Sequence, residues 1–215
     1  DARGNVKSVT DPRGVRHEST YNEVDWLVET KAAASAATDG SGAPALNLNT
    51  TYLHDENGNV LEERIPFGDD GTSFTRVQRD YGVLNEVKQT RSEVTPGAAD
   101  FVVTTLSYDE NFNVVAIQHP EEEWTLQSFN SRNLLESATR GAGTGEASTE
   151  HYVHDAEGKR TLFTNGRGFS HETVFDGFGR VMLSRDPLSN ASSMAYDDGS
   201  NVVGSQRLDA VGNLL

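Results

Sequence analysis

The sequence predicts an all-β protein built from tandem β-hairpins that form a long antiparallel sheet. Three observations predict it: a seven-residue phrase that keeps returning, a second turn signal midway between its copies, and intervening segments of strand composition with almost no helical periodicity. The phrase reads YDENFNV at 108–114, HDENGNV at 54–60, HDAEGKR at 154–160, FDGFGRV at 175–181 and YDDGSNV at 196–202.

Each copy can be anchored on an aromatic or histidine residue: Tyr21, His54, Tyr81, Tyr108, Phe129, His154, Phe175 and Tyr196. The spacings are 33, 27, 27, 21, 25, 21 and 21, so the basic unit is 21 residues and longer spacings are insertions. Asp109, Asp176 and Asp197 follow three of these anchors directly. About eleven residues after an anchor stands a Pro- or Gly-bearing turn, as in DPRG at 11, HP at 119, NGRG at 165 and DPL at 186. Two turns in 21 residues leave two segments of strand length, so each unit is strand, turn, strand, turn.

Taken along the chain, DARGNV at the start is a copy without its aromatic, and YNEVDWL at 21 is degenerate but keeps an apolar residue six positions on. The run TKAAASAA at 30–37 has the only good helix-forming composition and leaves a short helical turn open there. TDGSGAP follows it inside the 33-residue spacing, which predicts an insertion loop over about 31–50. YGVLNEV at 81 is again degenerate. DFVVTTLSY at 100–108 places Val102, Thr104, Leu106 and Tyr108 on one face, and NVVAIQ at 113–118 is the return strand. In EWTLQSF at 123–129, Trp124 and Leu126 fall opposite to Phe129, so no single inner face extends through every strand. RGAGTGEAST at 140–149 reads as a second, smaller loop, and the copy at 154 departs from the pattern by placing Arg160 where the others have an apolar residue.

Within YDENFNV, Asp109 and Asn111 are expected to bond their own backbone, and Asn113 to occupy a position of positive φ. Tyr108 and Val114 are expected to face each other across the hairpin as its clasp, a pairing worth roughly 0.2–1 kcal/mol. One hairpin is not stable alone in water, whereas stacked ones complete each other's backbone bonding.

Composition narrows the partners. With 18 Lys and Arg against 33 Asp and Glu, the formal charge is −15, which disfavours nucleic acid and anionic membranes. The chain has no Cys, so disulfides, thiolate metal sites and a thiol nucleophile are excluded. No apolar run reaches the roughly 18–20 residues of a membrane span, and DARGNVKSV is not a signal peptide.

Sharper chemistry is weighed and set aside. HDENGN at 54 and HYVHD at 151 bring His and carboxylates together, but the EF-hand pattern fails at its sixth and twelfth positions, so these residues read as turn formers and no metal is assigned. Ser170, His171 and Glu172 are neighbours on a strand and point to alternate faces, which defeats a triad. GAGTG at 141–145 lacks the strand-to-helix context of a phosphate cradle. Trp26 and Trp124 read as packing residues before a stacking platform. No catalytic residue and no cofactor are assigned.

The phrases YDENFNV, FDGFGRV and YDDGSNV, joined by DP or NG turns, resemble the tyrosine–aspartate (YD) repeats of Rhs proteins, of the C components of bacterial insecticidal toxin complexes and of teneurins. The resemblance covers the chain from DARGNV to LDAVGNLL. It implies a curved, spiralling antiparallel sheet forming a section of a hollow β-shell, with 1–215 as one repeat domain, a fragment of a longer chain. The Asp-Pro-x-Gly-Leu motifs of the family's self-cleaving members are not matched by DPRGV at 11 or DPLSN at 186, so no protease is carried over. The anchors are then architectural. The implied function is a non-enzymatic shell segment that encapsulates or presents a C-terminal toxin or effector, on a bacterial protein that is secreted or at the cell surface. The implied partners are other repeat segments of the parent chain and an enclosed toxin domain. An extracellular adhesion module binding a protein or glycan is the alternative.

Overall fold

A computed structural model describes residues 1–34, 45–67 and 73–215. Among the described residues the elements are 17 β-strands and no helix. They are β1 (Ser8–Thr10), β2 (Arg16–Tyr21), β3 (Leu27–Ala32), β4 (Leu48–His54), β5 (Val60–Pro66), β6 (Phe74–Tyr81), β7 (Val87–Glu93), β8 (Phe101–Tyr108) and β9 (Val114–Gln118). The order continues with β10 (Trp124–Phe129), β11 (Leu135–Ala142), β12 (Ser148–His154), β13 (Arg160–Thr164), β14 (Ser170–Phe175), β15 (Val181–Arg185), β16 (Ala191–Tyr196) and β17 (Val202–Leu208).

The chain divides into two compact units, Asp1–Leu106 and Ser107–Leu215. In the first, each strand from β1 to β8 pairs antiparallel with its neighbours in sequence. In the second, β9 to β17 form the same kind of meander. The all-β antiparallel expectation holds within each unit, where strands adjacent in sequence pair directly.

Every anchor closes a strand. Tyr21, His54, Tyr81, Tyr108, Phe129, His154, Phe175 and Tyr196 are the last residues of β2, β4, β6, β8, β10, β12, β14 and β16. Across the turn, seven of them face the residue six positions on, as in Tyr21↔Leu27, Phe129↔Leu135 and Phe175↔Val181. In each of these seven hairpins the register then slips by one residue on the outgoing strand. Such a bulge raises the local twist without interrupting the meander. Two strands reach further than the sequence indicates. Lys31 and Ala32 are strand, paired with Asn49 and Leu48, so the hairpin extends into the 31–50 stretch from both sides. Thr30–Ala32 of the helix-forming run is therefore β3, Ala33 and Ala34 follow it outside any helix, and positions 35–44 lie outside the described residues. Likewise Arg140 pairs with Ser148, so the 140–149 loop is shorter than its composition suggests.

Almost nothing is fully enclosed. Among the described residues the buried ones are Val15, Ala138 and Glu93, and most strand side chains are half-buried. Within each unit the cohesion of the sheet comes from bonding between neighbouring strands.

Charge is divided between strands and connections. The strands carry nine acidic and eleven basic residues, whereas the described connections carry 21 acidic and seven basic ones. The acidity of the protein resides in its turns.

Candidate functional site: a ladder of stacked turns

The recurring residues assemble one turn, built 14 times among the described residues. In each copy, the N–H of its first residue donates to the carbonyl four residues on, and the N–H three residues on donates back to the first residue's carbonyl. These turns begin at residues 1, 11, 22, 55, 82, 109, 119, 130, 155, 165, 176, 186, 197 and 209. The fourth residue always has positive φ, from Asn133 at 59° and Glu122 at 61° to Gly212 at 91° and Gly4 at 93°. Three-residue hairpin loops demand such a left-handed residue. Because the position holds Gly, Asn, Asp, Ser, Phe and Glu, the sequence disguises it.

Two sequence expectations change here. Positive φ belongs to Phe112, and Asn113 donates from Nδ2 to Asp109 Oδ2 at 2.8 Å instead. The midway turns that begin at 11, 119, 165, 186 and 209 are also the same turn as the anchored one, so where no longer connection intervenes the repeat of turn geometry is half a unit. Asp11, Asn165, Asp186 and Asp209 open such turns in the positions of Asp109.

The first side chain is the hub. In twelve of the turns it is Asp or Asn, and its Oδ1 accepts the N–H four residues on at 2.8–3.1 Å. In eleven it also accepts the N–H two residues on. These bonds favour the ionised carboxylate. For Asp55, Asp109, Asp186, Asp197 and Asp209 the bond from the Asn four residues on is the largest influence, and the pKa lies below the usual carboxylate value. For Asp176, whose pKa is also lowered, the backbone N–H of Arg180 is the largest influence. At Asp11 desolvation opposes the bonds from Val15 and Arg13, which prevail.

The turn at Gly82 lacks a hub side chain, and Glu86 replaces it from the other end. Its Oε2 accepts the Leu84 N–H at 3.0 Å, and a Cβ on Gly82 would lie 1.8 Å from Glu86 Oε1. The carboxylate occupies the place an Asp side chain would take.

The anchored turns stack along one edge of each unit, and every adjacent pair within a unit is joined. Asn5 Nδ2 reaches Asp25 Oδ1 at 2.7 Å, Asn59 Nδ2 reaches Asn85 Oδ1 at 2.7 Å, and Asn113 Nδ2 reaches Asn133 Oδ1 at 2.9 Å. Trp26 covers Gly58, Leu134 covers Gly158, and Lys159 covers Gly179. Arg180 Nη1 donates to the Asp197 carbonyl at 3.2 Å and meets Ser200 Oγ at 3.1 Å. The tyrosine hydroxyls add a second tie. Tyr21 reaches the Val6 carbonyl at 3.4 Å, Tyr81 that of Val60 at 3.1 Å, and Tyr196 that of Val181 at 2.8 Å. Each accepting residue leaves the preceding turn on that edge, so the tyrosine joins one unit to the one before it as well as facing its own hairpin partner.

The remaining anchors use other contacts. His54 packs against Trp26 in a tilted arrangement with ring centroids 5.5 Å apart, which gives Trp26 a packing role. Phe175 lies under the Lys159 ammonium at 5.7 Å, and His154 faces Arg160, whose guanidinium lies over Tyr152 and Phe163. Arg160, the departure from the apolar pattern, is therefore absorbed by an aromatic cluster. Phe129 faces Leu135, and Trp124 is half-buried opposite Ala142.

The sequence motifs that suggested chemistry are dispersed. Ser170 Oγ bonds Thr164 Oγ1 at 2.8 Å, Glu172 pairs with Arg185, and His171 stacks on Phe163 at 6.2 Å on the other face. Among the described residues no group of three or more His, Asp or Glu side chains is arranged to hold a metal ion. Several surface hollows are open to solvent, including one of about 390 Å3 beside Phe169 and the Glu172–Arg185 pair.

A charged residue the sequence does not single out is the most enclosed. Glu93, whose side chain has no exposed surface, takes Arg76 Nη2 at 2.6 Å and the N–H groups of Arg76, Gly97 and Ala99. The Arg76 bond lowers its pKa to about 2, against desolvation. Glu93 thereby fixes the 94–100 connection, with Arg76 also lying 5.3 Å over the Phe101 ring. Only a carboxylate at a strand end followed by TPG could have signalled it, and that signal is common to many loops.

No family model matches the chain, and no curated protein sequence matches it. Solved structures do. The crystal structure of TcdB2-TccC3-Cdc42 is similar over 99% of this chain, with a TM-score of 0.58 at 10% identity. A Tc holotoxin pore of Photorhabdus luminescens carrying a TccC3 mutation is similar over 99%, with a TM-score of 0.58 at 11% identity. TcdB2-TccC3 without its hypervariable C-terminal region is similar over 100%, with a TM-score of 0.52 at 11% identity. This chain spans 13% of the first two and 16% of the third. At such identity the likeness is one of fold, and it supports an Rhs-like β-sheet.

Proposed function

We propose that the chain is a section of protein wall: a non-enzymatic Rhs-type sheet that encloses or presents a toxin or effector domain of the same parent protein. One observation carries the reading. The recurring Asp and Asn residues hold the turns, and the residues beside them, with three of the tyrosines, join one turn to the next, so their repetition serves a continuous surface. A reactive group would need to be freed from these bonds and set in a cavity.

The likeness to TccC3-containing toxin chains supports a shell-like role and makes secretion from a bacterium the fitting location. The partners that follow are further strands of the parent chain, beside the ones here, and a domain held behind the wall. Function resides in the enclosure, with specificity carried by what is enclosed.

Limited proteolysis of the intact parent protein followed by mass spectrometry tests this. A protease-resistant wall retaining a separate C-terminal fragment is the expected result. A resistant wall with nothing inside overturns enclosure.

A further inference from the structure

We infer that two positions in each anchored turn form a complementarity code that sets which turn may follow which along the edge. The code joins the fifth residue of one turn to the fourth residue of the next. Numbered from Asp109, these are Asn113 in the first turn and Asn133 in the second.

All seven adjacent pairs inside the two units obey it. Where the fourth residue carries a short polar side chain, the fifth residue of the preceding turn is a hydrogen-bond donor: Asn5 to Asp25, Asn59 to Asn85, Asn113 to Asn133, and Arg180 to Ser200. Where the fourth residue is Gly, the preceding fifth residue is large and lies across the vacant Cβ position: Trp26 over Gly58, with the nearest ring atom 3.0 Å from an added Cβ; Leu134 over Gly158, at 3.7 Å; and Lys159 over Gly179, at 2.6 Å.

Mixed pairs are physically poor. An Asn at position 58 would bring its Cβ to 3.0 Å from the Trp26 indole, at a φ of 87° that Asn adopts less readily than Gly. An Asn facing Gly would leave its amide without the partner found elsewhere. The opposite edge does not use the code, since Gly168 and Gly212, fourth residues of turns there, have nothing within 4 Å of an added Cβ. The code therefore belongs to the anchored edge, where each strand pair meets the next, and would order hairpins that are otherwise nearly interchangeable.

Recoding one pair on the 215-residue chain tests it. Gly58→Asn and Trp26→Asn are each expected to shift the folding equilibrium toward the unfolded state by tenfold or more in denaturant titrations followed by circular dichroism. The double variant, which recreates an Asn–Asn pair, is expected to recover at least fivefold relative to the product of the singles. The reciprocal recoding of Asn113→Leu with Asn133→Gly, which copies the Leu134 and Gly158 pair, should show the same recovery and stands if a position 58 variant fails to fold. Additive effects in both recodings overturn the code. The test reads only turn pairing, so it can fail while enclosure stands, and succeed where nothing is enclosed.

Discussion

Asn130 shows what one hub contributes. Its Oδ1 accepts the N–H groups of Arg132 at 2.9 Å and Leu134 at 3.1 Å, which would otherwise point into the loop unbonded. Asn130→Ala should lower stability by about 1 kcal/mol, and Asn130→Asp should be close to neutral, as read by the denaturation midpoint. Gly82 is the converse case. Its φ is unexceptional, and the atoms an added side chain meets are the flexible end of Glu86. Gly82→Asp should restore the common hub, displace the Glu86 carboxylate and raise stability by about 0.5 kcal/mol, partly by restricting the unfolded chain. A lowered midpoint for Gly82→Asp would show that the hub and the Glu86 substitute are not equivalent.

At the scale of elements, β6 and β7 carry the one tightly enclosed charge pair among the described residues. Arg76→Met leaves the Glu93 carboxylate with backbone donors alone, in a place with no exposed side-chain surface. The single substitution should therefore cost more stability than the double Arg76→Met with Glu93→Leu, because the second change removes the charge that the first one stranded. Comparing the two midpoints decides it. The hairpins show why some of this was hidden from the sequence. Tyr21, Tyr81 and Tyr196 are legible as strand ends, because aromatics before Asp-rich loops mark hairpins. Their hydroxyl bonds to Val6, Val60 and Val181 are not, since those partners lie one unit back and are backbone carbonyls that every residue offers. The half-unit period was obscured for a related reason. DPRG, NGRG and DPLS share no side chain with YDENFNV beyond the first Asp or Asn, yet the backbone bonds are the same.

For the whole molecule, the turn hubs act in parallel on its response to acid. Asp11, Asp55, Asp109, Asp176, Asp186, Asp197 and Asp209 all have folded pKa values below the ordinary 3.8. A depressed folded pKa contributes stability above the unfolded value, and that contribution disappears as pH falls through the folded one. Stability should thus be nearly level from about pH 8 to 5 with respect to these groups and fall steeply below about pH 4, with several protons taken up on unfolding. Thermal midpoints measured across that range check this, and a decline centred near pH 6 would assign the acid response to histidines instead.

The sequence alone determined the all-β class, the strand ends and the placing of eight anchors, because hairpin loops impose local demands that only a few residue types satisfy. It could not determine which residue of a turn takes positive φ, that Glu86 stands in for a missing hub, that Glu93 is enclosed, or that neighbouring turns are matched in pairs. The first two are settled by bonds inside a single loop that several residue types can satisfy, whereas the last two depend on groups 17 to 32 residues apart brought side by side by strand pairing. Local backbone chemistry is written in the phrase itself. The contacts that join one phrase to the next exist only once the strands are in register.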